Sequence, residues 1–285
     1  MGHRVNLLHS LPRTAWNYSR KSGDKMNSFI AWIGGKHILA KKIISIMPEH
    51  HTYVEVFGGA GWVLFKKPQS KVEVWNDLNS DLVNLFRVVR NKLDQFKHRQ
   101  YYLLASREEY CVFQKAIKEG KFKDDIDRAI AFYYCIKNSF GSSVFNGWAF
   151  GPDRPPRYCS SFDYLNAARE RLKNVYIDNL SYERLIPNWD RKHTLFYCDP
   201  PYYMLIRKKG KDYYQCAFTE EDHVKLRDML KRIAGKFILS YDDDPYVRRL
   251  YREFKMTKTN SVRYSMNNRL NQPIRKMNEL IITNF

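Results

Sequence analysis

Asp199, Pro200, Pro201 and Tyr202 are the residues with the most definite chemistry in this sequence. They follow the apolar run 194–198, which predicts a buried strand, and a carboxylate after such a strand faces the crevice where α/β proteins bind ligands. The two prolines remove two N–H donors, so the backbone there offers only carbonyl acceptors. With the flat ring of Tyr202 beside them, these residues predict a planar slot lined by hydrogen-bond acceptors.

Such a slot suits an exocyclic amino group on a planar base. The Asp199 carboxylate and the Pro200 carbonyl would accept its two N–H hydrogens, and the ring would stack on Tyr202. Holding both hydrogens leaves the nitrogen lone pair directed at an electrophile. A Pro-Pro turn in which Asp199 caps a helix is an equally good interpretation of these residues alone, because a short motif needs its context.

A second candidate site is the glycine-rich turn 58–61, directly after a predicted strand at 53–57. Glycines there let a ligand approach the backbone closely. Asp77 ends the next predicted strand, 22 residues after Glu55, and an acidic residue about 20 positions on holds a ribose diol in nucleotide-binding folds. The turn lacks the GxGxxG pattern, which disfavours a pyrophosphate-containing cofactor.

A third candidate is the segment 32–36, in which Gly34 and Gly35 permit a tight turn before the first predicted helix. Lys36 could pair with a carboxylate. On this segment alone, a helix start with a solvated lysine is the better interpretation.

Strand-like and helix-like segments alternate around these residues, which predicts an α/β fold. Apolar runs predict strands at 53–57, 72–75, 175–177, 194–198, 236–240 and 279–285. Apolar stripes of helical period cover 36–46 and follow Asp77, Asp125, Asp163 and Thr219. Residues 142–157 have aromatics and arginines but no period, and predict a surface hairpin or loop.

The charge of the chain points to its partners. Lys and Arg number 49 against 30 Asp and Glu, a formal net charge of +19. Nucleic acid is the first candidate partner and an anionic membrane surface the second. The 20 tyrosines suit stacking on bases, although most aromatic side chains will fill the core.

Two absences in the sequence exclude further classes. No run approaches 18 apolar residues, so no transmembrane helix is expected. The five cysteines form no CxxC pair, which argues against a disulfide framework or a zinc site and favours a reducing cytosol.

The ordered set of motifs resembles the Dam-type (D12 class) DNA adenine-N6 methyltransferases, which include many phage and prophage enzymes. The resemblance runs from about Met26 to the C-terminus and covers seven segments. They are 32–36, 54–61, 76–79, 199–202, 218–223, 239–242 and 278–284.

The resemblance implies a Rossmann-like methyltransferase sheet with helices on both faces and an inserted, mostly helical and hairpin, DNA-recognition subdomain. It implies a catalytic domain at 26–98 and 175–285, a target-recognition region at 99–174 and a poorly ordered N-terminal extension at 1–25, with Met26 an alternative start. The expected reaction moves a methyl group from S-adenosylmethionine to adenine N6 in double-stranded DNA, leaving S-adenosylhomocysteine, after the base is flipped out. No metal is expected.

The same resemblance implies roles for individual residues. Asp199, Pro200, Pro201 and Tyr202 would form the catalytic slot. Trp32, Gly35 and Lys36 would hold the amino-acid end of the donor, Asp77 its ribose, and Asp178 or Asn179 its adenine. The floor of the donor site would consist of Glu55, Phe57, Gly58, Gly59 and Gly61, with Asp199 at its edge.

Two departures from the family pattern concern rigidity and DNA sequence. Val56 stands where the family usually has proline, which would change only local rigidity. Residues 145–151 match the best-known GATC enzymes loosely, so a GATC-like site is the expectation without a defined sequence.

Candidate DNA contacts lie in the irregular insert, in the basic run 207–211 and in a basic stretch near the C-terminus that includes Arg275. Asn138, Asn146, Arg154 and Arg157 can make bidentate base contacts, and each could instead contact phosphate or solvent. The run 207–211 could close over DNA or simply be solvated. The basic candidates in these runs are Arg207, Lys208, Lys209, Lys211 and Arg275.

Alternative functions remain at this stage. The acceptor could be cytosine N4, an RNA adenine or a protein glutamine, or the chain could be a non-catalytic DNA-binding protein on the same fold. A cognate restriction endonuclease is a candidate partner, and the cytoplasm of a bacterial or phage-infected cell is the expected location.

Overall fold

The computed structural model describes residues 26–32, 34–150, 162–203, 218–259, 262–263 and 276–285. The predicted extension at 1–25 lies outside these residues.

The described strands form one large sheet and one two-stranded sheet. The strands are β1 (Thr52–Glu55), β2 (Val72–Asn76), β3 (Val175–Asp178), β4 (Thr194–Cys198), β5 (Lys236–Asp242), β6 (Lys255–Lys258), β7 (Val262–Arg263), β8 (Lys276–Met277) and β9 (Glu279–Thr283). Seven of them are ordered β3-β2-β1-β4-β5-β9-β6, and β7 pairs with β8.

The large sheet is parallel through β3, β2, β1, β4 and β5, and antiparallel where β9 enters between β5 and β6. From β1 the chain moves outward to β2 and β3, whereas from β4 it moves the other way to β5. The carboxyl ends of β1 and β4 therefore flank a topological switch point, where open α/β sheets bind ligands.

Helices cover both faces of the sheet. They are α1 (Ala40–Ser45), α2 (Trp62–Lys66), α3 (Ser80–Asn91), α4 (Leu93–Tyr101), α5 (Arg107–Glu119), α6 (Asp125–Asn138), α7 (Phe162–Leu172), α8 (Tyr182–Trp189), α9 (Glu220–Arg232) and α10 (Pro245–Leu250). Helices α1 to α7 share one apolar core with the sheet, and α8 to α10 share another. Alternate strand residues feed the two cores, as in Leu195 and Phe196 of β4. The predicted α/β architecture is confirmed.

The helices of the region 99–174 share an apolar core with the large sheet. Helix α6 packs against α3 and α5, and α7 packs against α3 and α4. The Asp124 side chain accepts hydrogen bonds from the Ile126 and Asp127 amides and starts α6. The insert thus extends one helical layer of the sheet.

A hairpin follows α6, as predicted for the irregular stretch. Ser139 forms an isolated antiparallel bridge with Trp148, and the Ala149 amide donates to the Asn138 carbonyl at 2.7 Å. A 3-10 turn at Phe140–Ser142 includes Gly141, whose φ of 67° favours glycine.

The predicted element bounds differ from the observed ones mainly at their ends. The helix predicted at 36–46 covers only Ala40–Ser45, and Lys36 before it is buried instead of facing solvent. The strand predicted at 53–57 ends at Glu55, where the chain enters the glycine-rich turn.

Candidate active site

Lys36 and Asp199 form a buried ion pair at the switch point. Lys36 Nζ lies 2.9 Å from Asp199 Oδ1, and Lys36 is only 6% exposed. Lys36 Nζ also donates to the Gly34 carbonyl at 2.9 Å. The pairing with a carboxylate therefore replaces the solvated-lysine interpretation.

Ser240 of β5 completes this contact. Its Oγ donates to Asp199 Oδ1 at 2.9 Å and lies 3.1 Å from the Tyr197 hydroxyl. Burial raises the pKa of Asp199, and this rise is opposed by the charge of Lys36, by hydrogen bonds from Lys36 and Ser240, and by the nearby Tyr202 hydroxyl. Among the described residues, the hydrogen bonds of Lys36 and Ser240 both reach Oδ1, so Oδ2 is the oxygen that a substrate N–H can use.

The Tyr202 ring has a lysine and a second tyrosine as neighbours. Lys36 Nζ lies 4.6 Å from its centroid, and Tyr241 stacks on it with centroids 5.7 Å apart and planes at 26°. Pro200 is buried next to Asp199, while Asp199 and Pro201 are half-buried. Asp199 caps none of the described helices, so the geometry favours the planar slot over the capped turn.

The two glycine motifs interlock through tryptophans. A Cβ at Gly59 would lie 2.9 Å from Trp32 Cδ1, and one at Gly35 would lie 2.6 Å from Trp62 Nε1. Gly59 and Gly61 have φ of 48° and 67°, which L side chains adopt only with strain. The segment at 32–36 and the turn at 58–61, distant in sequence, therefore form one wall.

The indole of Trp75 closes the same wall from below. A Cβ at Gly58 would lie 2.2 Å from Trp75 Nε1, so only glycine fits at this position. Trp75 is fully buried and stacks on Phe86 with centroids 3.8 Å apart.

Asp77 fastens the turn to the next helix. Its Oδ2 accepts from the Gly59 amide at 2.8 Å and its Oδ1 from the Asn79 amide at 2.8 Å. Burial raises the pKa of Asp77, opposed by these backbone hydrogen bonds. Each oxygen keeps further acceptor capacity, which suits a pair of vicinal hydroxyls.

Asp178 and Asn179 lie beside Asp77 at the carboxyl end of β3. Asn179 Nδ2 donates to the carbonyls of Asp77 and Leu78 at 2.8 and 3.1 Å, and Asp178 is half-buried. The predicted ribose and adenine contacts are thus brought together at one edge.

Glu55 differs from its predicted place as a direct floor contact. It is 2% exposed, and its Oε2 accepts from the Tyr53 hydroxyl and the Leu64 amide, both at 2.9 Å. Burial raises its pKa to about 8. Because its carboxyl is directed into the first turn of α2, Glu55 supports the wall from inside. Phe57, which was also predicted in the floor, is half-buried and its ring contacts those of Tyr182 and Phe218.

Two carboxyls near the slot had no role in the sequence analysis. Asp242 of β5 is 1% exposed and Glu279 of β9 is 0% exposed. Burial raises the pKa of Glu279 to about 7. A sequence signal existed, since Glu279 directly precedes the apolar run 280–282 and acidic residues are rarely fully buried without a partner.

Two of the nine candidate DNA contacts, Asn138 and Asn146, lie in the described residues. Asn138 is 4% exposed and its Nδ2 donates to the Tyr134 carbonyl at 3.0 Å, so its prediction as a base contact is wrong and it supports the hairpin. Asn146 is exposed on the hairpin, where its Nδ2 donates to the Phe140 carbonyl at 2.7 Å. The remaining candidates lie outside the described residues: Arg154, Arg157, Arg207, Lys208, Lys209, Lys211 and Arg275.

The described residues contain neither a membrane-spanning helix nor a group of metal ligands. None of their helices combines the length and apolar character needed to cross a bilayer. Across the described ranges, no three His, Cys, Asp or Glu side chains are grouped as metal ligands.

Comparison with known proteins shows similarity over most of the chain. Residues 32–265 match the family model of the D12 class N6 adenine-specific DNA methyltransferases. The Type II methyltransferase M1.LlaDCHI of Lactococcus lactis subsp. cremoris is 26% identical, over 94% of this chain and 99% of its own length. The DNA adenine methylase of Escherichia coli (strain K12) is 26% identical, over 81% and 86%.

The chain belongs to the D12 class of N6 adenine-specific DNA methyltransferases. It is an S-adenosylmethionine-dependent enzyme that methylates adenine N6 in DNA. This confirms the predicted activity and sets aside the cytosine, RNA, protein and non-catalytic alternatives. The glycine turns that admit a ligand close to the backbone, the Asp77 carboxylate with spare acceptor capacity and the charged Lys36–Asp199 pair are compatible with such a donor.

Proposed function

We propose that Asp199, Pro200 and Tyr202 hold the amino group of a flipped adenine for methylation. The observation that carries this proposal is the Lys36–Asp199–Ser240 contact at the switch point, which directs Asp199 through Oδ1 and reserves Oδ2 for the substrate. Oδ2 and the Pro200 carbonyl accept the two N6 hydrogens, and the adenine ring stacks on Tyr202.

The donor site lies next to the slot, with Lys36 between the two. When bound, S-adenosylmethionine supplies a methyl group activated by a sulfonium. Asp77 binds the ribose hydroxyls, Asp178 and Asn179 border the adenine of the donor, and Trp32 with the glycine wall encloses its amino-acid end. Because Lys36 contacts both Gly34 in this wall and Asp199 in the slot, it fixes the distance between donor and acceptor.

The residues of the slot direct one bond-forming step. The N6 lone pair bonds to the methyl carbon while the bond from that carbon to sulfur breaks, with its electrons remaining on sulfur. N6 then carries a positive charge and releases one hydrogen as a proton, which Asp199 Oδ2 accepts and passes to solvent. Orientation supplies most of the acceleration, because the two reacting atoms are held in line.

The hairpin at 139–149 and its flank are proposed to read and open the DNA. Phe140, Phe145 and Phe150 are 57%, 56% and 68% exposed and lie with Asn146. Apolar side chains of this kind can insert between base steps and replace the stacking of a flipped base. We assign target recognition to 99–174, and the net charge of +19 supplies phosphate contacts.

The proposal extends to the DNA sequence, a partner and the location of the protein. We propose a short GATC-like site, since residues 145–151 loosely match the best-known GATC enzymes. A cognate restriction endonuclease is proposed because relatives are named Type II methyltransferase. The free thiols of Cys111, Cys135 and Cys198 fit the proposed bacterial or phage-infected cytoplasm.

Methylation of unmethylated genomic DNA tests this proposal. The protein is incubated with the donor, the DNA is digested to nucleosides for mass spectrometry, and a second portion is read by methylation-aware sequencing. We expect N6-methyladenine within one short sequence, which defines the site. Loss of the product in Asp199→Ala supports the slot, whereas N6-methyladenine at random positions would contradict sequence-specific recognition by 99–174.

A further inference from the structure

Glu279 is fixed at the edge of the slot by its strand. It is the first residue of β9 and lies opposite Asp242 of β5 in the antiparallel register. The Thr259 amide and hydroxyl donate to the Glu279 carbonyl at 2.8 and 3.0 Å, and the Glu279 amide donates back to Thr259 Oγ1 at 3.3 Å. The position of the Glu279 backbone is therefore set from both sides.

The side chain of Glu279 points to the face that carries the ion pair. Side chains on a strand alternate between faces, so Glu279 shares its face with Ile281. Ile281 belongs to the apolar core of α1 to α7. Lys36 precedes α1, and Ser240 shares this face of β5 with Ile238.

The Glu279 carboxyl and the Tyr202 hydroxyl are both buried polar groups without a completed hydrogen bond among the described residues. The Tyr202 hydroxyl lowers the pKa of Asp199 and of Glu279, so it lies near both carboxyls. Yet among the described residues, neither oxygen of Glu279 nor the Tyr202 hydroxyl makes a hydrogen bond of ordinary geometry. Both groups are buried, at 0% and 7% exposure.

Such an arrangement is costly for the fold. A buried carboxyl without a partner loses its hydration and gains nothing in return. The next three residues of β9 are apolar, so the strand itself has no need of an acid at this position. Unfinished polar contacts of this kind concentrate at functional sites.

We infer that Glu279 is a positioning residue of the methylation slot, whose carboxylate receives the Tyr202 hydroxyl and fixes the ring on which adenine stacks. The inference rests on the proposed slot. Entry of adenine presses on the face of Tyr202, and the hydroxyl then closes onto Glu279. The contact requires the ionised carboxylate, since a carboxylate accepts this hydrogen bond more strongly than a neutral acid.

The protonation of Glu279 depends on several neighbours. Burial raises its pKa to about 7, the charge of Lys36 lowers it, and the charges of Asp199 and Asp242 raise it. The charge of Glu279 in turn raises the pKa values of Tyr202 and Tyr197. The rate should therefore fall on the acid side of about pH 7.

Single-turnover methylation across pH 5.5 to 9, with donor and DNA saturating, tests the inference in the full chain. Glu279→Gln should slow transfer about tenfold at pH 8, the size of one hydrogen bond to a charged group. It should also remove the acid limb near pH 7, while donor affinity stays within about twofold of wild type. Tyr202→Phe should remove the same limb, and the double variant should be no slower than the slower single variant.

A matched control and two contrary outcomes complete the test. Glu73→Gln changes a buried carboxyl at the start of β2 and should keep the acid limb. Wild-type rate and limb in Glu279→Gln, or additive losses in the double variant, would overturn the inference. If Glu279→Gln does not fold, a retained limb in Tyr202→Phe overturns it instead.

Asp199→Ala separates this inference from the proposed slot. Full activity of Asp199→Ala would mean that the slot itself is wrong. An inactive Asp199→Ala beside a wild-type-like Glu279→Gln would mean that only the role of Glu279 is wrong.

Discussion

Two buried charge clusters lie at opposite ends of the parallel strands, and they are built differently. At the start of β2, Glu73 has two cationic partners: Lys67 Nζ lies 2.5 Å from its Oε1, and Arg171 contacts both oxygens at 2.5 and 3.0 Å. The Ser70 amide also donates to Oε1 at 3.1 Å. This cluster, which we call the Glu73 cluster, is fully partnered and rich in positive charge.

The cluster at the carboxyl ends of the strands has the opposite balance. There Lys36 pairs with Asp199 and its charge also acts on Glu279, whose carboxyl lies near those of Asp199 and Asp242. The pKa values of Asp199 and Glu279 lie above their ordinary range, mainly through burial. For Glu73, burial acts in the same direction, but Arg171 and Lys67 outweigh it and the pKa lies below its ordinary value.

The difference indicates that the Glu73 cluster serves stability and that the cluster around Lys36 serves function. A carboxylate whose every oxygen is paired ties elements together, and Glu73 joins α7 of the insert to β2 of the sheet through Arg171. Carboxyls with spare acceptor capacity are held for a substrate at a cost to the fold. We expect substitutions in the Glu73 cluster to change unfolding and substitutions around Lys36 to change methyl transfer.

Asp199→Ala should give the largest effect that this comparison predicts. It removes the acceptor for one N6 hydrogen and the anchor of Lys36, so transfer should fall at least about a thousandfold. Donor affinity should stay largely intact. Quenching of tryptophan fluorescence measures it, because Trp32 and Trp75 belong to the wall. Substantial transfer by a well-folded Asp199→Ala protein would break the comparison at once.

Arg171→Ala should give the next largest effect, and on stability. It leaves Glu73 with one cation and frees the Leu64 carbonyl, which Arg171 contacts at 2.7 Å. Breaking a buried pair costs about 3 kcal/mol, measurable by urea unfolding, with transfer per folded molecule unchanged.

Arg169→Ala on the same helix is its control. Arg169 Nη1 contacts Asp94 at 3.1 Å at the surface, where an ion pair contributes less than about 1 kcal/mol. Equal losses for the two arginine variants would show that burial of the Glu73 cluster carries no special stabilisation.

Asp77→Ala should give an intermediate effect, on binding. Asp77 has two backbone partners and spare acceptor capacity, so it resembles both clusters. We expect donor affinity to fall about tenfold, the size of one or two lost hydrogen bonds, with a smaller change in the rate at saturating donor. Asp94→Ala, at an exposed carboxylate, is the control, and unchanged donor affinity in Asp77→Ala would contradict its assignment to the ribose.

Sequence patterns predicted the parts of the site that local chemistry determines. The strand before Asp199, the glycine turn and Asp77 follow from apolar runs and from residues with special backbone freedom. The sequence offered Lys36 as one choice between a pair and a solvated side chain, because only the fold brings β4 next to the segment at 32–36. Asn138 was misjudged for the same reason: its type suits a base contact, whereas its place at the end of α6 buries it.

The apolar run after Glu279 signals a buried acid, but its place beside the slot depends on strand order. Its strand is the last in the chain, yet it pairs between β5 and β6 and reaches the slot from there. No local spacing relates residue 279 to residue 202.

The smallest predicted effect is on the pH dependence of stability. It contrasts the two clusters most sharply, because Glu279 and Glu73 should change stability with pH in opposite directions. The pKa of Glu279 is raised from 4.5 to about 7 in the folded protein, so between these values the folded state holds a proton that the unfolded state has lost. Stability is therefore lost as the pH rises through this window, and Glu279→Gln should be more stable than wild type at pH 8. The gain is about 1–2 kcal/mol, once the burial of the amide is counted.

Glu73 should behave in the opposite way. Its pKa is lowered in the folded state, so its contribution is present above about pH 4.5, the unfolded value, and is lost as the pH falls below it. Glu73→Gln should thus melt below wild type at pH 8, with the gap narrowing in acid, while Glu279→Gln melts a few degrees above wild type at pH 8 and close to it at pH 4.5. Thermal unfolding at these two pH values measures both, and a lower melting temperature of Glu279→Gln at pH 8 would mean that its carboxyl stabilises the fold as Glu73 does.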